Sequence, residues 1–228
     1  MGSTPPTLRR AIAVVSSDMV VTEAAPDALE QAGLRTGVGI SDSRMLVNYW
    51  RATLDGRIAF GKGGGRLAFR GQVGERFEGP STLAADVITS LRSFYPTLSE
   101  VDVPLSWTGP IDRSRTGLPF FGRLGGDSEI VYGLGYSGNG VGPSFLGGRI
   151  LASLALRRED EWSSLGLAGG PTGSFPPEPI RYVGGWLVRQ AVARKEAAED
   201  DGGRAGWATR RLASLAPTGL VPVEQGED

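Results

Sequence analysis

Hydrophobic residues recur along the chain with two different spacings, which separate strand-like from helix-like segments. β-Branched residues are concentrated in residues 11–22, which predicts a strand, and a short helix or turn is predicted over residues 24–33. A Ser-Thr pair at residues 81–82 is suited to cap a helix, whose apolar stripe ends before Pro96. Residues 180–199 predict a second, amphipathic helix.

A β-hairpin is the clearest local prediction. Residues 44–53 and 57–61 are separated by an Asp-Gly dipeptide, which favours a tight turn between two strands. Because side chains alternate along a strand, Tyr49 and Arg51 should lie on one face of the hairpin and Trp50 on the other.

The middle of the chain predicts a strand–turn–helix unit. Residues 101–107 alternate as a strand, whereas the composition of residues 110–126 predicts a loop. An apolar run at residues 129–134 then ends in a glycine-rich turn, which opens an apolar helix that reaches about residue 156. Such a turn directs backbone N–H groups and the positive end of a helix at one place, which suits a phosphate or an electron-rich cofactor ring.

Two common motifs overlap this turn, and each lacks a part of the structure or chemistry that it normally belongs to. Residues 133–138 spell G-x-G-x-x-G with acidic residues about twenty positions later, but no second strand follows to close a βαβ unit. Residues 135–139 nearly spell G-x-S-x-G, but the chain holds no histidine to activate Ser137. A glycine loop that caps the helix without a ligand remains the alternative.

Composition excludes several classes of function. The 228 residues suffice for one large or two small domains, and 24 basic against 25 acidic residues create no field that would attract nucleic acid. No apolar run reaches membrane-spanning length. Without cysteine or histidine, the chain forms no disulfide, thiolate metal site, histidine metal site or Ser-His-Asp triad, and we expect no metal. A cytoplasmic location is expected.

Three motifs between residues 107 and 140 resemble a known family of enzymes. They are Trp107-Thr108-Gly109, Gly117-Leu118-Pro119-Phe120-Phe121-Gly122 and Gly135-Tyr136-Ser137-Gly138-Asn139-Gly140. Together they are similar to the C-terminal half of the D-amino-acid oxidase-like family of FAD-dependent amine and amino-acid oxidoreductases, which includes glycine and sarcosine oxidases. Residues 20–23, 55–58 and 176–181 resemble the γ-glutamylputrescine oxidase-like branch in the same order.

The resemblance implies FAD as the cofactor, held non-covalently because the chain has no cysteine or histidine for attachment. It also implies that the turn closes over the flavin ring, with the positive helix end facing the edge that gains negative charge. The residues implied in cofactor binding are Trp107, Gly109, Gly135, Tyr136, Ser137, Gly138, Asn139, Gly140 and Val141. Tyr49 and Arg51 are the candidate catalytic residues on the substrate side, where the planar Arg51 guanidinium suits a carboxylate.

An α+β fold is expected: a mixed, largely antiparallel substrate-domain sheet with helices, plus the C-terminal strand–turn–helix of an incomplete FAD-binding domain. We expect a substrate-binding domain over residues 9–106 and a flavin-closing part over residues 107–156. A C-terminal strap, helix and tail are expected over residues 157–228.

The predicted function is oxidation of a C–N bond of an amine or amino acid by hydride transfer to flavin. In this interpretation the chain is a fragment that lacks the N-terminal Rossmann half of the enzyme. A small-molecule amine or amino acid is the expected substrate, and a separate FAD-binding half is a candidate partner. Oxygen, a quinone and an electron-transfer protein stay open as the electron acceptor. The alternative is a non-catalytic remnant or binding module.

Overall fold

A computed structural model describes residues 5–125 and 129–217 of the chain. Its strands are β1 Ile12–Val21, β2 Gly39–Ser41, β3 Asn48–Ala52, β4 Ile58–Lys62, β5 Leu105–Ser114, β6 Phe120–Arg123 and β7 Val131–Leu134. Its α-helices are α1 Pro6–Ala11, α2 Pro26–Gln31, α3 Ala84–Phe94, α4 Pro143–Ala155, α5 Ile180–Asp200 and α6 Trp207–Ala213. The last part of the expected tail, residues 218–228, lies outside the described residues.

The fold is α+β, as the sequence predicts. Five strands form one sheet in the order β2-β3-β4-β1-β5, and every neighbouring pair is antiparallel. Strands β6 and β7 form a separate antiparallel pair, which leads into the turn and α4. The strand–turn–helix unit predicted from residue 129 onward is therefore present.

The predicted hairpin is confirmed, with β3 and β4 as its strands. Trp50 stacks on Phe60 with ring centroids 5.3 Å apart, and both rings are buried against Val87 and Leu91 of α3. This packing forms the main core of the chain, since an aromatic side chain removes a large apolar area from water. The face that carries Tyr49 and Arg51 points away from this core, as alternation predicts.

The predicted loop over residues 110–126 is wrong in part. β5 continues to Ser114 and pairs with β1 along its whole length, and β6 occupies residues 120–123. Pro110 is tolerated in the strand because β5 lies at the edge of the sheet, where a missing N–H breaks no ladder hydrogen bond. The domain boundary expected after residue 106 consequently falls inside this strand.

The expected cap of α3 is replaced by another contact. The residue before the helix is Leu83, and the Ser81 hydroxyl accepts a hydrogen bond from its N–H at 3.0 Å. The same hydroxyl donates to the buried carboxylate of Asp18 at 2.6 Å. Ser81 therefore ties the helix entry to β1 rather than capping the first turn.

Candidate functional site

One face of the five-stranded sheet carries most of the candidate site. Strand pairing aligns Tyr49 with Gly61, Gly61 with Met19, and Met19 with Trp107, so these four residues form one row across β3, β4, β1 and β5. Helix α3 covers the opposite face. Trp107 is 42 % exposed. We call the side of the sheet that bears this row, together with Arg51 and Gly109, the open face.

Tyr49 is held in a defined position on the open face. Its phenol shares a short hydrogen bond with the Ser17 hydroxyl, and burial raises the pKa of this phenol. Gly61 makes room for the ring, because a Cβ atom there would lie 2.2 Å from the Met19 sulfur and 2.4 Å from the Tyr49 ring. The site can thus present a neutral hydroxyl group whose position is set by its hydrogen bond to Ser17.

Arg51 lies on the same face, one row further along the strands. It is exposed and aligns with Ala59 on β4 and Gly39 on β2. Among the residues that the structure describes, no carboxylate lies within ion-pair distance of its guanidinium. Such a group is available to an anionic ligand from solvent.

The glycine turn meets the open face at the end of β5. Because side chains alternate along a strand, Trp107, Gly109 and Ile111 lie on the same side of β5. A Cβ atom on Gly138 would lie 3.3 Å from the Ile111 side chain. A Cβ atom on Gly109 would meet no atom within 4 Å. The tertiary structure therefore brings the predicted cofactor residues of β5 and the turn to one place, with open space above Gly109.

The first half of the turn is anchored within the chain. The Gly135 N–H donates to the Asp112 carboxylate at 2.5 Å, and the Ser137 N–H donates to the Asp112 carbonyl at 3.3 Å. The Ser137 hydroxyl in turn accepts from the N–H of Ser114 at 3.1 Å. These contacts give Gly135 and Ser137 a role in shaping the turn.

Tyr136 joins the turn to helix α4. Its ring packs edge-on against Phe121, with centroids 5.9 Å apart. A Cβ atom on Gly147 would lie 2.3 Å from the Tyr136 hydroxyl and 2.9 Å from the Phe121 ring. The apolar helix therefore lies close to the turn only because position 147 has no side chain.

The second half of the turn faces outward. Gly138 and Asn139 are exposed, and Val141 is 96 % exposed. The Asn139 N–H donates to the Tyr136 carbonyl at 2.9 Å, whereas within the described part of the chain no acceptor binds the N–H groups of Gly138, Gly140 or Val141. Helix α4 begins directly afterwards, so its positive end adds to these three N–H groups.

These features fit a flat, electron-rich cofactor ring. Among the described residues three backbone donors and a helix end are open to an acceptor, an exposed aromatic side chain lies further along β5, and Gly109 leaves the space above that strand clear. A group bound there would contact Trp107, Gly109 and residues 138–141. It would not contact Gly135, Tyr136 or Ser137, whose role would be to hold the turn in its conformation.

Asp112 was missed by the sequence analysis, and it holds the turn to β5. Replacing it by alanine should lower the free energy of unfolding by about 1–3 kcal/mol, because the buried Gly135 N–H loses its acceptor. Asp112→Asn keeps an acceptor oxygen and should lose less. Urea denaturation of both variants at neutral pH measures the difference. Equal losses would contradict this assignment.

The same carboxyl group makes stability depend on pH. Burial raises the pKa of Asp112, against the opposing effect of backbone N–H donors that include Gly135. The folded chain thus keeps this proton at pH values where the unfolded chain, with a pKa of about 3.9, has lost it. Measured against Asp112→Asn, the free energy of unfolding should rise as pH falls through the folded pKa.

Met19 and Gly61 also belong to the site without having been predicted. Alternation along residues 12–21 puts Ser17, Met19 and Val21 on one face, but periodicity does not say which strand lies beside β1. Only the observed register places Met19 between Gly61 and Trp107.

Comparisons with known proteins give a consistent result. The family model described as FAD dependent oxidoreductase matches residues 2–154. The probable oxidoreductase OrdL of Haemophilus influenzae is 28 % identical over 160 residues, which cover 68 % of this chain and 33 % of the relative. The gamma-glutamylputrescine oxidoreductase of Escherichia coli is 30 % identical over 145 residues, which cover 64 % of this chain and 31 % of the relative. The chain spans about a third of the length of these curated relatives.

Solved structures show the same fold at low identity. The fructosamine oxidase of Aspergillus fumigatus (Amadoriase II) is 14 % identical with a TM-score of 0.54, covering 72 % of this chain and 41 % of that one. A thermally stable mutant of fructosyl peptide oxidase is 11 % identical with a TM-score of 0.57, and the match covers 77 % of this chain and 44 % of the mutant. None of the described helices is long and apolar enough to cross a membrane.

Proposed function

The chain belongs to the FAD dependent oxidoreductase family, and from this premise we propose that it is the substrate-binding and flavin-closing portion of an enzyme that oxidises a C–N bond of an amine or amino acid. The observation that carries the proposal is the meeting of the open face with the three N–H groups of the turn that have no acceptor among the described residues. The name of the gamma-glutamylputrescine oxidoreductase, 30 % identical, supports an amine as the substrate class. The resemblance seen in the sequence motifs is thereby confirmed at the level of the family.

FAD, the cofactor of this family, supplies a two-electron acceptor for the hydride on the carbon next to the amine nitrogen. The chain's own contribution is electrostatic and geometric. The N–H groups of Gly138, Gly140 and Val141 and the positive end of α4 stabilise negative charge on a group bound against them. The Asp112 contacts hold Gly135 and Ser137, which directly precede these donors, so the turn that carries them is positioned before charge develops.

Tyr49 and Arg51 are proposed to contact the substrate. The Tyr49 hydroxyl is neutral and fixed by Ser17, so it can orient an amine without competing for its proton. The exposed guanidinium of Arg51 suits the carboxylate of an amino acid. The apolar Met19 and Trp107 side chains, in the same row as Tyr49, would exclude water from the reacting carbon.

The three-part division of the chain stays a proposal, with one refinement. Residues 107–114 belong to the same sheet as the substrate-binding part, so they link it physically to the flavin-closing turn. A separate FAD-binding half is proposed as the partner that completes the enzyme. We include a cytoplasmic location in the proposal, since a chain without cysteine needs no oxidising compartment for its folding.

The proposal is tested by adding the missing half. The full chain is produced together with, or fused to, a G-x-G-x-x-G half from a relative, and the purified protein is examined for a visible flavin spectrum. Amines and amino acids should bleach this spectrum in the absence of oxygen. A colourless complex in excess FAD would contradict the proposal and favour a non-catalytic binding module.

A matched pair of variants tests the role of the free N–H groups. Val141→Pro removes one donor, whereas Val141→Ala shortens the exposed side chain and keeps it. Losing one hydrogen bond to a charged group costs about 1.5–3 kcal/mol, so amine-dependent bleaching should slow about tenfold or more in Val141→Pro. The Val141→Ala protein should bleach at the unaltered rate. Equal bleaching rates in the two variants would show that the Val141 N–H does not stabilise the reduced flavin.

A further inference from the structure

An apolar cavity lies between the C-terminal helices and the side of the sheet that also bears Met19 and Trp107, at the opposite end of β1 and β5 from those two residues. It has a volume of about 360 Å³, is open to solvent on one side, and is lined by Ala13 and Val15 of β1, Val188 and Val192 of α5, and Leu212 of α6. Small-molecule sites usually span about 300–1,000 Å³, so this cavity admits one small ligand and is too small for a dinucleotide. Its lining is predominantly apolar.

Arg113 is a charged group of this cavity that has no counter-ion among the described residues. Arg113 of β5 aligns with Ala13 and lines the cavity, where burial lowers the pKa of its guanidinium. Its Nη2 atom donates to the Pro217 carbonyl at 3.3 Å. Within the described residues, no carboxylate approaches it to ion-pair distance, and none lines the cavity.

Two other arginines line the cavity, and they differ in their contacts. Arg181 forms an ion pair with Glu178 at 2.8 Å and donates to two backbone carbonyls. The Nε atom of Arg189 donates to the Gly64 carbonyl at 2.6 Å. Among the described residues Arg189, like Arg113, therefore has no counter-ion, and Arg113 is the one of the two that lies on the sheet, with most of its five N–H donors unused there.

We propose that this cavity binds a small carboxylate with an apolar body, and that Arg113 pairs with the carboxylate. A partly desolvated guanidinium without a counter-ion is unfavourable, and so is apolar surface left in contact with water. A carboxylate with an apolar body removes both costs, because it pairs with the guanidinium and fills the apolar space. An aliphatic acid of medium length has this chemistry. The site lies under α5 and α6, so the inference goes beyond the proposed oxidation and does not depend on it.

Three ligands of equal length separate charge from apolar fit. Octanoate, octan-1-ol and octylamine are titrated into the purified full chain by calorimetry. Octanoate should bind about tenfold or more tightly than octan-1-ol, since a charged hydrogen bond of this kind contributes about 1.5–3 kcal/mol, and octylamine should bind weakest. Equal affinities for octanoate and octan-1-ol, or no binding of octanoate, would overturn the proposal.

Two variants assign the effect to one residue. Arg113→Gln should reduce octanoate affinity about tenfold and leave octan-1-ol affinity within about twofold. Arg115→Gln removes an exposed guanidinium two positions along the chain and should change neither value. An Arg113→Gln protein that binds octanoate normally would overturn the assignment. The comparison of three ligands needs only the unaltered chain, so it decides the question even if this variant fails to fold.

Discussion

Gly135→Ala should lower the free energy of unfolding by about 2–5 kcal/mol. Gly135 has a φ of +80°, a left-handed conformation that costs an L-residue roughly 1–2 kcal/mol. A Cβ atom there would also lie 2.8 Å from Ser114 Cβ and 2.9 Å from the Phe120 ring, and such overpacking costs about 1–3 kcal/mol. Both penalties fall on the residue whose N–H is fixed by Asp112. Urea denaturation followed by circular dichroism measures the loss.

Two glycines of α4 serve as controls for this prediction. A Cβ atom on Gly148 meets nothing within 4 Å, so Gly148→Ala should raise the free energy of unfolding by up to about 1 kcal/mol through helix propensity. Gly147→Ala should instead be destabilising, because it displaces Tyr136 and Phe121. If Gly135→Ala proved as stable as Gly148→Ala, the turn would not have the conformation described.

Phe60→Ala is the core substitution with the largest expected effect. Its side chain is fully buried, stacks on Trp50 and packs against α3, and such truncations cost about 3–5 kcal/mol. Phe60→Leu fills more of the volume and should lose less than half as much. Thermal unfolding of both variants, followed by tryptophan fluorescence, measures the difference. A loss below about 1 kcal/mol for Phe60→Ala would contradict the burial described.

This core also supports the candidate site. Phe60 precedes Gly61, and Trp50 follows Tyr49, so each buried ring is the immediate neighbour of an open-face residue. The packing on one face therefore fixes the register on the other. We expect that Phe60→Ala also loosens the packing around Tyr49, and the loss of burial would lower the raised pKa of its phenol toward the ordinary value.

Local pattern was sufficient for most of the elements. The hairpin, α3, α4 and α5 were predicted because alternation, turn residues and helical spacing act over a few neighbouring positions. β5 was cut short because Pro110 and the polar residues after it are typical of loops. Its position at the sheet edge, which permits the proline, is a property of the assembled sheet. The short helix α6 was missed as well.

The sequence by itself determined the α+β class, the alternation that separates Tyr49 and Arg51 from Trp50, and the family, because these depend on local periodicity and on ordered motifs. Only the tertiary structure decided which turn amides are free, that Asp112 holds the turn, and that Met19 and Gly61 lie between Tyr49 and Trp107. Those facts arise from strand register and from contacts between residues distant along the chain, which the pattern of any single segment does not encode.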